Sequence, residues 1–326
     1  MTTIVNIAEK LRRDAETELE NILCKKTGAT RAMLVIGEHD GLIFALRAAG
    51  VNYGDTVICP AFGDPVLLGA VQQTGATAVF CDVTSDTWTL DSMYLENMLK
   101  CYITDKKNLP KAVIASCAFG LPCDFVAIKA LCERFGIIMI EDIRHSFDAA
   151  IGSKSCGTFG DVSVALISKV PEVSAVFCDY AMQNLHAERA EDLLPSIVDI
   201  SISLHRLTNM KAECEKRQKA AKIYGECLGN YFQLQYIPAD FFHTYSGFGV
   251  VLKNETDCKH AKEQLELCGL SSVETQPFLL HRLAGRMPAL TKMPNAEQLS
   301  CRLFTLPIHA WLNKKTISQI ARAVII

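Results

Sequence analysis

The sequence predicts an α/β fold: a mostly parallel central sheet in a large domain, followed by a small C-terminal α+β domain. Three observations carry this. Strand-length apolar runs alternate with helix-length segments from Met33 to Ser168, the pattern of repeated βαβ units. Ile137 to Ile140 is an unbroken apolar run headed by Gly136, which reads as a strand buried on both faces. The last hundred residues then change character, mixing strands and helices behind a long charged helix.

Taken in order, residues 4–24 place Ile4, Ile7, Leu11, Leu19, Ile22 and Leu23 at helical spacing, giving one or two N-terminal helices. Met33 to Ile36 is a short apolar run ending at Gly37, and Asp40 to Ala49 is a helix closed by Gly50. Strands follow at Thr56–Cys59, Ala76–Asp82 and Lys111–Ser116, with helices at Pro65–Gln73, Leu95–Cys101 and Phe125–Phe135. After the Ile137–Ile140 strand come strands at Gly160–Ser168 and Val173–Cys178 and the long helix His205–Leu228. A strand at Gly247–Leu252 and helices at Thr256–Leu267 and Lys315–Val324 complete the chain. The division is therefore 1–205, N-terminal helices and large domain, and 206–326, linking helix and small domain.

Glu141 and Asp142 fall at the C-terminal end of the opening strand, the edge of an open α/β sheet where ligands sit. A carboxylate there either caps the next element or pairs with a protonated ring nitrogen of a bound cofactor. The net charge of −3 gives no pull toward nucleic acid or anionic membrane. No apolar run reaches membrane-spanning length and the start lacks a signal-peptide core, so a cytoplasmic location is expected. The 14 cysteines are scattered without C-x-x-C or zinc-ligand spacing; they read as small buried hydrophobes in a reducing compartment, and no metal site is expected. His205 and His243 read as surface or capped residues.

Seven segments in order resemble the DegT-type sugar aminotransferases. Gly54–Pro60 resembles G-D-E-V-I-x-P, Gly75–Val83 resembles G-A-x-P-V-F-x-D, and Phe119–Asp124 resembles Y-G-x-P-A-D. Glu141–Ser146 resembles E-D-A-A-H/Q-A, and Gly157–Val162 resembles G-S-x-G-D-x. Pro277–His281 and Leu306–His309 resemble the P-L-H and L-P-L-H segments. The resemblance implies the aspartate-aminotransferase-like fold of pyridoxal 5′-phosphate (PLP) enzymes. It also implies a homodimer with active sites at the subunit interface, a nucleotide-linked keto-sugar substrate and an amino-acid amino donor. It makes Lys169 the residue that forms the Schiff base with PLP and Asp142 the acid on the pyridine nitrogen, and it sets His145 at the ring's phenolic oxygen.

The departures gather at the cofactor. The family's phosphate-binding S-G-T-D-A-L is Gly37-Glu38-His39-Asp40-Gly41-Leu42 here. Glu38 either opposes a phosphate or favourably charges the helix start, and His39 is a candidate phosphate donor when protonated. Asp64 stands where the family has the aromatic ring that stacks on the pyridine. The segment from Asp161 to Lys169 is two residues short, Val164 replaces a serine, and no counterpart of N-x-R-x-D-E-L-Q occurs between Ala190 and Arg206. Two readings follow: an active PLP aminotransferase on a nucleotide sugar, or a catalytically degenerate homologue that binds a sugar nucleotide or pairs with an active paralogue.

Overall fold

Apolar strands set the centre of the molecule in a computed structural model that describes residues 2–105, 108–178, 193–267, 269, 278–285 and 292–325. In chain order the strands are β1 (Ala32–Ile36), β2 (Thr56–Pro60), β3 (Phe62–Gly63), β4 (Thr77–Cys81), β5 (Ala112–Ser116), β6 (Ile138–Asp142), β7 (Ala150–Ile151) and β8 (Lys154–Ser155). They continue as β9 (Val162–Lys169), β10 (Glu172–Cys178), β11 (Gln233–Leu234), β12 (Phe241–Phe242), β13 (Phe248–Val251), β14 (Phe278–Leu279) and β15 (Leu303–Leu306). The helices are α1 (Thr2–Thr27), α2 (Glu38–Ala48), α3 (Pro65–Gln73), α4 (Ser92–Thr104) and α5 (Phe125–Phe135). The remainder are α6 (Ile197–Leu228), α7 (Glu255–Leu267), α8 (Leu280–Leu283), α9 (Pro294–Arg302) and α10 (Lys314–Val324).

Seven strands form the main sheet in the order β1-β10-β9-β6-β5-β2-β4. From β9 to β4 the neighbours are parallel, and β10 runs against both β9 and β1. The reversal follows from chain length: only Val170 and Pro171 join β9 to β10, and a connection that short closes only an antiparallel pair. Because the sheet is covered on both faces, successive side chains enter different cores. Met33, Ile114, Ile140 and Val164 pack with α2 and α3 on one face. Leu34, Val113, Met139 and Ala165 pack with α1, α4 and α5 on the other.

α1 is one continuous helix rather than two. α6 begins at Ile197, well before the expected His205, because Ser196 and Asp199 form a reciprocal capping box. Its first half buries Ile200 and Leu207 against the large-domain core. Its second half buries Ala220, Ala221, Tyr224 and Leu228 with β13, β15 and α10 in the small-domain core. The division expected at 205/206 thus falls inside one rigid helix. No described helix is long and apolar enough to cross a membrane.

α2 lies so close to the sheet that only glycine fits at Gly41: an added Cβ would meet the Ser174 Cβ at 2.5 Å. Helix propensity alone favours alanine there by about 1 kcal/mol. The contact reverses the sign, because Ser174 is fully buried and its Cβ cannot swing away. Gly41→Ala is expected to destabilise by about 1–3 kcal/mol, read as a lowered denaturation midpoint in urea.

Candidate functional site

The C-terminal ends of β1, β2, β5, β6 and β9 converge on one cavity of about 530 Å³, at the edge where an α/β sheet places its ligands. Its apolar wall includes Phe62, Trp88, Leu90, Phe119 and Phe278. Trp88 meets Phe119 edge-on with ring centroids 5.6 Å apart. Phe278 arrives because β14 pairs with β3, bringing a small-domain segment to the large-domain cavity. The first residue of the Pro277–His281 segment lies outside the described residues.

The two acids at the end of β6 have different tasks. Glu141 is fully buried and turns away into the loop that precedes β9. It accepts from the backbone N–H groups of Gly157 (2.6 Å), Phe159 (2.9 Å) and Gly160 (3.1 Å), and from the Ser163 hydroxyl (3.1 Å). Burial raises its pKa against these bonds. It shapes a loop.

Asp142 faces the cavity, and its partner is Arg144. The chain turns after β6 so that the Arg144 backbone N–H donates to Asp142 Oδ1 at 3.2 Å, a local Asx-type bond that folds the side chain back over the acid. Arg144 Nε donates to Oδ1 at 2.8 Å and Nη2 to Oδ2 at 3.0 Å, a bidentate fork. The Ser116 hydroxyl adds a bond to Oδ2 at 2.9 Å. Arg144 Nη1 reaches Glu38 Oε1 at 2.7 Å and Asp64 Oδ2 at 3.4 Å. The guanidinium is thus enclosed by acids from three elements, and Arg144 is only 3% exposed. Burial alone would raise the Asp142 pKa, but the Arg144 guanidinium holds it below the usual value. Asp64 is brought down to about 2: burial opposes, while the hydrogen bond from His145 and the charge of Arg144 prevail.

Glu38 lines the cavity, but its carboxylate is spent on Arg144 rather than held against an unpaired anion. Asp64 caps α3 by accepting from the Val66 N–H at 3.0 Å and also faces Arg144, so no aromatic ring stacks from this position. His145 Nε2 lies 3.3 Å from both Asp64 and Glu38. The ligand atoms of Glu38, Asp64 and His145 lie within 4.8 Å of one another, a grouping that the sequence expectation of no metal-ligating cluster did not foresee; Arg144 Nη1 is a cation that the two carboxylates hold. His39 turns elsewhere: an added Cβ on Gly69 of α3 would sit 3.3 Å from its Nε2, so it packs between helices rather than into the cavity. His243, expected at the surface or capped, is buried between Gln235 and the Tyr245 N–H and neutral, its pKa pushed down to about 3 by burial.

Lys169 lines the cavity mouth, and a β-bulge puts it there. Register with β10 shifts between Val173 and Ser174, leaving Ile167 unpaired on β9. Without that extra residue, strict alternation from Val164 would turn Lys169 toward the opposite core. The bulge corrects facing, but Val164 is the residue level with Asp142, so Lys169 stands four register positions, about 13 Å at about 3.3 Å per position, further along the strand.

Two residues of this site were not singled out from the sequence. One is Arg144, whose signal was its own presence: a cation where the resembling segment has alanine, beside a buried acid. The other is Glu172. Its carboxylate accepts from the Glu38 backbone N–H at 3.2 Å and its carbonyl from the Gly37 N–H at 3.1 Å. These are the free N–H groups at the start of α2, where the resemblance sets the PLP phosphate.

The main sheet, the ligand edge and the small domain behind it define the fold of PLP-dependent sugar aminotransferases. Residues 9–166 and 198–325 match the DegT/DnrJ/EryC1/StrS aminotransferase family, and the chain belongs to that family. It is 23% identical to GDP-perosamine synthase of Escherichia coli O157:H7, over 94% of this chain and 88% of that one. It is 25% identical to UDP-2-acetamido-2-deoxy-3-oxo-D-glucuronate aminotransferase of Pseudomonas aeruginosa, over 94% and 89%. Among solved structures, a DegT DnrJ EryC1 StrS aminotransferase from Brucella abortus superposes with a TM-score of 0.85 at 23% identity, covering 99% of this chain and 95% of that one.

The family depends on PLP, yet the residues present here do not fit that cofactor in the family's manner. Both oxygens of Asp142 are engaged by Arg144, the start of α2 is capped by Glu172, and the stacking ring is replaced by Asp64.

Removing the guanidinium tests this electrostatic account. Arg144→Ala is expected to cost about 3–5 kcal/mol at pH 7, the usual cost of leaving a buried charge unpaired. In the parent, Asp142 and Asp64 have depressed pKa values. Their stabilisation is therefore present above the unfolded value of 3.8 and lost as pH falls through the folded values, about 2 for Asp64. In the variant, burial of Asp142 has lost its main opponent, with only Ser116 and His145 left to favour the carboxylate, so its pKa rises and protonation relieves the penalty. The deficit should narrow as pH is lowered from 7 toward 4, measured as parent-minus-variant melting temperature. A deficit independent of pH would show that Arg144 contributes packing rather than charge.

Proposed function

We propose that this chain is a sugar-aminotransferase homologue that binds a nucleotide-linked sugar in the cavity without running amino transfer on PLP. One observation carries the reading: Arg144 holds both oxygens of the acid that would have to hold the cofactor's ring nitrogen. Support for the ligand comes from the family match and from relatives named for UDP- and GDP-linked sugars. The cavity adds an apolar wall of a kind suited to a sugar ring and its methyl or acetamido substituents.

A second reading, active transfer to a keto-sugar from an amino-acid donor, draws on Lys169, which the bulge turns to the cavity. Calorimetric titration of the full chain with UDP- and GDP-linked sugars, without added PLP, separates these readings when paired with a transfer assay containing glutamate or glutamine and PLP. We expect saturable sugar-nucleotide binding and no amino sugar. Amino-sugar product would establish the second reading, and neither binding nor product would remove both.

The same proposal includes a homodimer with closed twofold symmetry, supported by the retention of the large-domain segments around which the family assembles. It places the protein in the cytoplasm, supported by the free, mostly buried thiols of the described cysteines. Sedimentation at micromolar concentration should give a dimer; a monomer at all concentrations would refute the assembly.

A further inference from the structure

We propose that Arg144 and Glu172 are built-in substitutes for the two charged ends of pyridoxal phosphate, so that the chain fills its own cofactor site. The inference rests on the reading that the site works without bound cofactor, and it names the residues responsible. It comes from geometry at two separated places. At the C-terminal end of β6, Asp142 meets a planar cation that donates to both of its oxygens, where the family's acid meets a protonated ring nitrogen. At the N-terminus of α2, the Glu38 N–H meets a carboxylate oxygen of Glu172, where the family's helix meets a phosphate.

Each substitute is supported by changes around it that make no sense in a cofactor site. Arg144 would bring a second cation beside a protonated ring, yet Glu38 and Asp64, the two departures at the phosphate and stacking positions, both point their carboxylates at it. The odd residues at positions 38, 64 and 144 thus form one set, each accounting for the others. Glu172 depends on the shortened β9. With two residues fewer, β9 turns directly into β10 through Val170 and Pro171, and the hairpin sets Glu172 opposite Lys169, against the start of α2. The shortening and the altered phosphate position are one structural change. Among the described residues, four carboxylates (Glu38, Asp64, Asp142 and Glu172) line the cavity against the fixed cations Arg144 and Lys169, a surplus of negative charge that repels a dianionic phosphate.

The test treats the two ends separately, with pyridoxal phosphate and pyridoxal as probes on the full-length protein. Arg144→Ala with Glu38→Ala removes one cation and one anion, which preserves charge balance where Arg144→Ala alone could fail to fold. Glu172→Gln changes an exposed side chain and leaves the cation site intact. Binding is read as visible absorbance and as a ligand-dependent rise in melting temperature, neither of which requires turnover.

The parent should show no saturable binding of either probe at millimolar concentration. The Arg144/Glu38 variant should gain affinity for both probes alike, by about tenfold or more, the worth of a hydrogen bond to a charged group. In the triple variant, Glu172→Gln should raise the preference for pyridoxal phosphate over pyridoxal by about tenfold. Folded variants that reject both probes would overturn the inference while leaving the sugar-binding reading intact. Tight binding of pyridoxal phosphate by the parent would overturn the cofactor-free reading and this inference with it. Equal gains for the two probes on changing Glu172 would remove Glu172 from the account and leave only Arg144.

Discussion

The charge on Arg144 is almost completely withdrawn from water, and the surrounding site is arranged to make that tolerable. Burying a guanidinium costs several kcal/mol even after relaxation, and an unpaired one would not stay charged and buried. Here three carboxylates share it, from the end of β6, the first turn of α2 and the N-cap of α3. The acids are themselves held in place: Ser116 donates to Asp142, and Val66 donates to Asp64. The result is a fixed knot joining three loops of the sheet's C-terminal edge. In an enzyme that needs a cofactor, such loops gain their last constraints when the cofactor binds. In this chain Arg144 supplies constraints between them from within the sequence.

The opposite end of the cavity is closed by the same economy of charge. A helix start leaves four N–H groups without intrahelical partners, and an anion there gains from both the hydrogen bonds and the dipole. Gly37 carries no side chain to cap α2, so the anion comes from the neighbouring strand β10, on Glu172. That reach is possible because the β9–β10 hairpin is short: the bulge on β9 returns Lys169 to the cavity face, which Glu172 already shares with Ser174 and Val176 by simple alternation along β10. A deletion of two residues would otherwise move the strand end without changing which face it shows. The bulge is therefore part of the site, since it decides which side chains the hairpin offers to the cavity.

Much of the fold was legible in the sequence because it depends on local patterns. Helices α3 and α5 lie where Pro65–Gln73 and Phe125–Phe135 were expected, each preceded by an aspartate whose side chain caps the first turn. The parallel strands followed from apolar runs spaced by helix-length segments. What was not legible depends on contacts distant in sequence. Nothing near Glu38 announces that its partner is Arg144, more than a hundred residues away, and Glu172 meets the Glu38 N–H across a similar gap. The start of α6 was missed for a different reason. Ser196 and Asp199 are a readable capping box, but the polar residues after it obscured the helical period. At the site, Glu38 and Asp64 taken one position at a time are separate losses. Seen together with Arg144, they are the counter-charges of a single gain.

Asp142 can be satisfied by a ring nitrogen brought in solution or by Arg144, and the two cannot occupy the same lone pairs. The competition is unequal. Arg144 leaves the chain two residues after the acid, and the turn between them is already fixed by the Arg144 N–H bond to Oδ1. Such a tether gives an effective concentration of about a millimolar or more. A ligand present at about a micromolar therefore starts about 4 kcal/mol behind. Displacing the guanidinium would also strip Glu38 and Asp64 of their cation and leave two carboxylates facing the incoming cofactor. Each residue that favours Arg144 thus also disfavours the ligand, which makes the arrangement hard to reverse by one substitution. The sheet, the helix dipoles and the cavity are inherited with the fold and persist because the core requires them, whereas the chemistry at the cavity's charged ends can change with a few side chains.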